Sequence, residues 1–165
     1  KGVSFLNLEE DKVKEFFEIL NFENIIVGWP SIFNEDDKST CGYGFKQGKI
    51  CATIEAGTHT DPNSQINAEI SILNALSFLK IANCPLKIDS KNYKYTKMIK
   101  MHMKTKPGDF VKKWNHLDEV KAGEVIAKYD DGEEIKAEED FTIIMPGSGK
   151  DTKIGTEWIY LGKNI

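Results

Sequence analysis

Glu55 is the residue through which this chain could do chemistry. It is the one carboxylate in the apolar run Gly48 to Thr58, and a carboxylate at the tip of a buried strand must be hydrogen-bonded, paired or used. Strand alternation sets Cys51, Thr53 and Glu55 on one face and Ala52, Ile54 and Ala56 on the other, and Gly57 lets the backbone turn sharply. A carboxylate mounted at a loop mouth on a rigid element is placed to accept a proton, provided partial burial raises its pKa. His59 follows closely enough to line the same mouth or to order the loop. Tyr43, in Gly42-Tyr43-Gly44, reads as the aromatic of a Gly-flanked turn whose phenol either faces a cleft or packs. His116-Leu117-Asp118-Glu119 spells a His-x-x-Glu metal pair. It lies in a β-rich stretch with no helix to bring the two side chains together, so surface contacts are its ordinary meaning. His102, between Met101 and Met103, reads as outward-facing.

The elements that must position Glu55 are legible on either side of it. Leu8 to Leu20 has helical spacing in Leu8, Val13, Phe16, Phe17 and Leu20, and Asn7 with Glu10 forms a capping-box pattern. Ile25-Ile26-Val27-Gly28 is a short buried strand, broken by Trp29-Pro30-Ser31, and Asn34 to Thr40 is a polar loop. After Glu55 and the loop His59-Thr60-Asp61-Pro62 comes a long helix from about Asn63 to Ile81. Asp61 caps it, Pro62 fits its first turn, and Ile66, Ile70, Leu73, Ala75, Leu76 and Leu79 form its expected buried stripe. Past Asn83 to Lys87 the pattern changes. Lys97 to Lys104 alternates, with Ile99, Met101 and Met103 on one face and Lys100, His102 and Lys104 on the other. Turn signals then recur at Pro107-Gly108, Ala122-Gly123, Asp130-Asp131-Gly132 and Pro146-Gly147.

Apolar strand, Glu-x-Gly, polar loop and long helix, in this order, resemble the succinylglutamate desuccinylase/aspartoacylase family, zinc amidohydrolases related to carboxypeptidases. The tail segments Gly123-Glu124-Val125-Ile126-Ala127, Asp131-Gly132-Glu133-Glu134-Ile135, Phe141-Thr142-Ile143-Ile144-Met145-Pro146 and Gly155-Thr156-Glu157-Trp158-Ile159-Tyr160 are similar to the family's β-rich C-terminal region. The resemblance implies an α/β (α+β) fold: the C-terminal strands and last helix of a zinc-carboxypeptidase-like mixed sheet in residues 1–84, then a small antiparallel β barrel or sandwich lobe in 85–165. It implies that Glu55 is the general base on a zinc-bound water, in a hydrolase that deacylates an N-acyl amino acid or similar small amide. Zinc would polarise the amide carbonyl and supply hydroxide near neutral pH. It also implies substrate contacts from Tyr43 and from Trp158, although Trp158 and Tyr160 share a strand face and read equally as core.

The family's His-x-x-Glu pair and later His precede the general base, and no His precedes Glu55 here. The expectation is therefore the C-terminal portion of a longer enzyme. Its zinc would be held by the missing N-terminal portion, no metal ligand is assigned here, and this chain alone would bind no cofactor and be inactive. All 22 basic residues are Lys, so bidentate Arg recognition of an acidic substrate is excluded within these residues. From Lys87 to Lys113 nine Lys face two acids, and from Asp118 to Asp140 ten acids face three Lys. The two blocks are expected to lie together and neutralise one another, which with a net charge of −4 argues against nucleic acid as a partner. No run approaches the roughly 20 apolar residues of a membrane span. Cys41, Cys51 and Cys84 make an odd count without Cys-x-x-Cys spacing, against a disulfide framework or thiolate zinc site. The setting expected is cytoplasmic, with a small-molecule substrate, and self-association is left open. The alternative function is a non-catalytic ligand-binding or interaction module with a biotinyl- or lipoyl-like β lobe, although no Met-Lys-Met hairpin tip is present.

Overall fold

The computed structural model describes residues 3–6, 11–29, 39–89 and 92–165. The chain divides into two compact units, residues 1–95 and 96–165. The division falls further along the chain than the change of pattern at Asn83 to Lys87. The intervening segment is tied back to the first unit: Lys87 exchanges two hydrogen bonds with Asn74, and the Lys94 N–H donates to Glu23 O at 2.8 Å.

In the first unit, β1 (Val3–Leu6) and β2 (Asn24–Val27) pair in parallel, Phe5 opposite Ile26. The expected strand at Ile25 to Val27 is present, and every residue of β2 is buried. Helix α1 (Asp11–Ile19) lies between them in sequence; the proposed cap at Asn7 and Glu10 falls outside the described residues. Helix α2 (Thr40–Lys46) and the long helix α3 (Asn63–Phe78) follow. Phe17, Leu20, Phe22, Ile25 and Val27 form the core, joined by Ala52, Ile54, Ala56, Ala75 and Phe78.

Helix α3 does not bury the stripe expected of it. Its fully buried side chains are Ser71 and Asn74, while Ile66 and Leu79 are each 54% exposed and Ile72 is 56% exposed. The reason lies in α1, whose last carbonyls have no partner within their own helix. Ser71 Oγ donates to Leu20 O at 2.6 Å and Asn74 Nδ2 to Ile19 O at 2.8 Å, so α3 caps the end of α1 with its polar side chains.

The second unit, from Thr96 onward, is built of two sets of antiparallel strands. One is ordered β3 (Lys94–Met103), β9 (Glu157–Asn164), β8 (Phe141–Ile144), β5 (Glu119–Val120); the other is β4 (Gly108–Phe110), β6 (Val125–Tyr129), β7 (Glu134–Lys136). They share a core of Trp114, Val120, Ile126, Tyr129, Ile143, Trp158, Ile159 and Leu161. The expected barrel or sandwich is therefore an open sandwich, not a closed barrel. Strand β3 carries irregularities between Met98 and Lys100 and between His102 and Met103. These break the strict alternation read from the sequence: Ile99 and Met103 are exposed and Lys104 is buried.

Candidate functional site

Residues 49–58 form neither helix nor full strand and carry a single ladder bridge at Ile54. The alternation nonetheless holds. Ala52, Ile54 and Ala56 pack on the core, and Thr53 and Glu55 face outward, both exposed, so the partial burial expected of Glu55 is not supplied by the described residues. Burial of alternate small apolar side chains fixes the facing of the others, so the carboxylate's direction is set by the core beneath it.

The loop after Glu55 is held by the first turns of α3. Gly57 has φ 140°, and a Cβ there would run into Ser64 Oγ. Ser64 Oγ donates to Thr58 O at 2.8 Å, and Asn67 Nδ2 donates to Ala56 O at 3.2 Å. Asp61 Oδ1 accepts the Asn63 N–H at 2.9 Å at the helix start, the capping role expected of it. Residues Ser64 and Asn67 were not singled out by sequence reasoning, although a signal existed. Ser64, Asn67, Ser71 and Asn74 recur at helical spacing, and it is this polar stripe that faces inward.

Tyr43 lies on α2 rather than in a Gly-flanked turn, and its ring is 68% exposed. The Gly42 N–H donates to Ser39 Oγ at 3.0 Å at the start of the helix. Gly44 sits against Cys51, where a Cβ would collide with the thiol sulfur, so α2 packs closely on the segment that leads to Glu55. Tyr43 and Glu55 therefore belong to neighbouring elements of one unit. His59 is exposed in the turn after Thr58. Cys41, Cys51 and Cys84 are half-buried thiols.

Trp158, in the second unit, is 1% exposed. Its ring stacks on Phe110 at 5.3 Å, its Nε1 donates to Gly149 O at 3.1 Å, and the Lys104 ammonium lies 4.9 Å from the ring. Lys104 is itself buried and donates to Gly149 O and Lys150 O at 2.9 and 2.8 Å, which satisfies its charge with carbonyl dipoles. With both faces and its N–H engaged inside its unit, Trp158 packs as a core residue rather than lining an open surface. Tyr160 is also buried, which raises its phenol pKa. His102 is half-buried rather than outward, and burial lowers its pKa. His116 Nδ1 accepts the Met145 N–H at 3.1 Å, so the imidazole is held neutral and orders the start of the 145–149 loop; burial lowers its pKa as well. Glu119 is exposed on β5. Among the described residues, no three His, Cys, Asp or Glu side chains come together as a metal site.

No protein-family model matches the sequence, and no curated protein matches it. Solved structures do. Succinylglutamate desuccinylase from Vibrio parahaemolyticus superposes with a TM-score of 0.71 at 14% identity, over 99% of this chain and 49% of that one. The product-bound ectoine utilization protein EutE (DoeB) from Ruegeria pomeroyi gives a TM-score of 0.72 at 15% identity, over 98% of this chain and 53% of that one. A succinylglutamate desuccinylase/aspartoacylase from Rhodobacter sphaeroides gives 0.71 at 12% identity, over 99% and 54%. The chain thus has the mixed α/β fold of succinylglutamate desuccinylase/aspartoacylase structures. It spans about half the length of the solved structures it matches.

Proposed function

We propose that this chain is part of a deacylase of the succinylglutamate desuccinylase/aspartoacylase type, which hydrolyses an N-acyl amino acid or similar small amide, with Glu55 as general base. The observation that carries the reading is the mounting of Glu55. Its neighbours Ala52, Ile54 and Ala56 are anchored in the core, the loop behind it is pinned by Ser64 and Asn67, and its carboxylate faces out. Glu55 takes a proton from the attacking water as the carbonyl carbon gains its new oxygen, and returns that proton to the amine nitrogen as the C–N bond breaks. Tyr43, outward on the adjacent helix, is the proposed substrate contact on this side of the site.

The described residues do not by themselves fit the zinc that this chemistry uses in the family. Its ligands belong to polypeptide outside this chain, so the isolated 165 residues are proposed to be inactive. The absence of Arg points to a substrate whose carboxylates are bound by residues elsewhere in the complete protein, or to one less acidic than N-acetylaspartate. Assay of the complete protein with a panel of N-acyl amino acids tests the reading: release of a free amino group is expected, and no turnover of any member would overturn it.

A further inference from the structure

We infer that Cys41 and Cys51 form an oxidative modification site, at which a peroxide joins the two sulfurs in a reversible disulfide that clasps α2 to the segment leading to Glu55. The bridge owes nothing to the deacylase reading; only its consequence for substrate binding rests on that reading. Cys41 and Gly44 lie three residues apart on α2 (Thr40–Lys46) and share a face of the helix, their Cβ positions about 5–6 Å apart. Cys51 Sγ occupies the space that a Gly44 Cβ would fill. The Cys51 sulfur therefore stands about one helical turn from the Cys41 side chain, a gap of the size that rotation about the two χ1 bonds closes.

The backbone brings the two cysteines together. The Gln47 and Lys49 N–H groups both donate to Gly44 O, at 3.1 and 3.0 Å, so the chain doubles back after α2 and returns Cys51 alongside it. A disulfide there closes a ring whose turn is already folded, and Gly44 has no side chain to hold the two elements apart. Both thiols are half-buried, which leaves them open to a small oxidant. Cys84 is placed differently: it follows the far end of α3, where its carbonyl accepts the Ser77 hydroxyl at 2.7 Å. With hydrogen peroxide, one thiolate attacks a peroxide oxygen, the O–O bond breaks, and a sulfenic acid forms as the first water leaves. The second thiolate attacks that sulfur, the S–O bond breaks as the S–S bond forms, and a second water leaves. Two thiols lose two electrons, and the peroxide gains them. Tyr43 lies inside the ring so closed, and Glu55 four residues beyond it. In the deacylase reading, the bridge fixes the helix that carries the substrate contact and removes its freedom to close on a substrate.

The test treats the complete protein with hydrogen peroxide, blocks the remaining thiols with iodoacetamide and cleaves at lysine. The three cysteines fall in separate fragments, 39–46, 50–80 and 81–87, so mass spectrometry reads each pairing on its own. A bridge between 39–46 and 50–80 is expected at least about tenfold above any pairing with 81–87. It should vanish in Cys41→Ser and in Cys51→Ser, persist in Cys84→Ser and be reversed by dithiothreitol. Oxidation that stops at sulfinic acid, or a bridge that favours Cys84, would overturn the proposal. In the oxidised protein the KM for the responsive N-acyl amino acid should rise at least about threefold with kcat unchanged, and return with dithiothreitol. A bridge that leaves KM as it was would uphold the site and refute its effect on substrate binding. A bridge in a protein that hydrolyses no N-acyl amino acid would uphold the site and refute the deacylase reading.

Discussion

Asn74 shows how a single polar side chain organises the first unit. Its amide donates to Ile19 O and Lys87 O at 2.8 and 2.9 Å, and its Oδ1 accepts the Lys87 N–H at 2.9 Å. Leucine has similar volume but satisfies none of these groups, and each buried backbone group left unpaired costs about 1–3 kcal/mol. Asn74→Leu should therefore destabilise the chain by ~2–4 kcal/mol in urea titration, although by hydrophobicity the exchange would look favourable. His116 offers a second test. Its folded pKa is below 6.5, because burial disfavours the imidazolium, and protonation would also remove the acceptor for the Met145 N–H. The unfolded chain then binds more protons than the folded one as pH falls below about 6.5, so stability is full above that pH and is lost progressively beneath it. His102 shares the same sign. The urea midpoint should fall between pH 7 and pH 5, above the range where carboxylates titrate, and His116→Gln should flatten that fall.

Among the elements, what the sequence announces depends on what each side chain is asked to satisfy. The buried strand at Ile25 to Val27 and the alternation around Glu55 were readable because apolar burial alone decides them. The facing of α3 was harder to read, because unpaired carbonyls at the end of α1 outrank apolar burial there, and the polar stripe that answers them competes in the sequence with a larger apolar one. Strand β3 misled for a related reason, since its two irregularities shift which side chains face inward. The helix at Tyr43 was hidden by its flanking glycines, which are poor helix formers, although Gly44 serves close packing against Cys51. Glycine has a similar use in β9. A Cβ on Gly162 would lie 2.8 Å from the backbone oxygen of Lys97 and 2.6 Å from Ile144 Cδ1. The side chain can yield but the ladder cannot, so Gly162→Ala should cost about 1–3 kcal/mol, visible as a lowered thermal midpoint.

For the whole molecule, charge and fold carry different kinds of information. The basic and acidic blocks do neutralise one another in the second unit, through Lys100 with Glu138, Lys106 with Asp131 and Glu133, and Lys112 with Glu124. These exposed pairs contribute little to stability. No helix among the described residues is long and apolar enough to cross a membrane. The fold is shared with solved structures about twice as long, and the proposed deacylase role rests on one outward carboxylate on an anchored segment. Glu55→Gln in the complete protein keeps the shape and hydrogen-bonding reach of that side chain while removing its ability to accept a proton. Turnover of the responsive N-acyl amino acid should fall by at least ~10²-fold while substrate affinity stays within a few-fold. Turnover equal to that of the unsubstituted protein would contradict it.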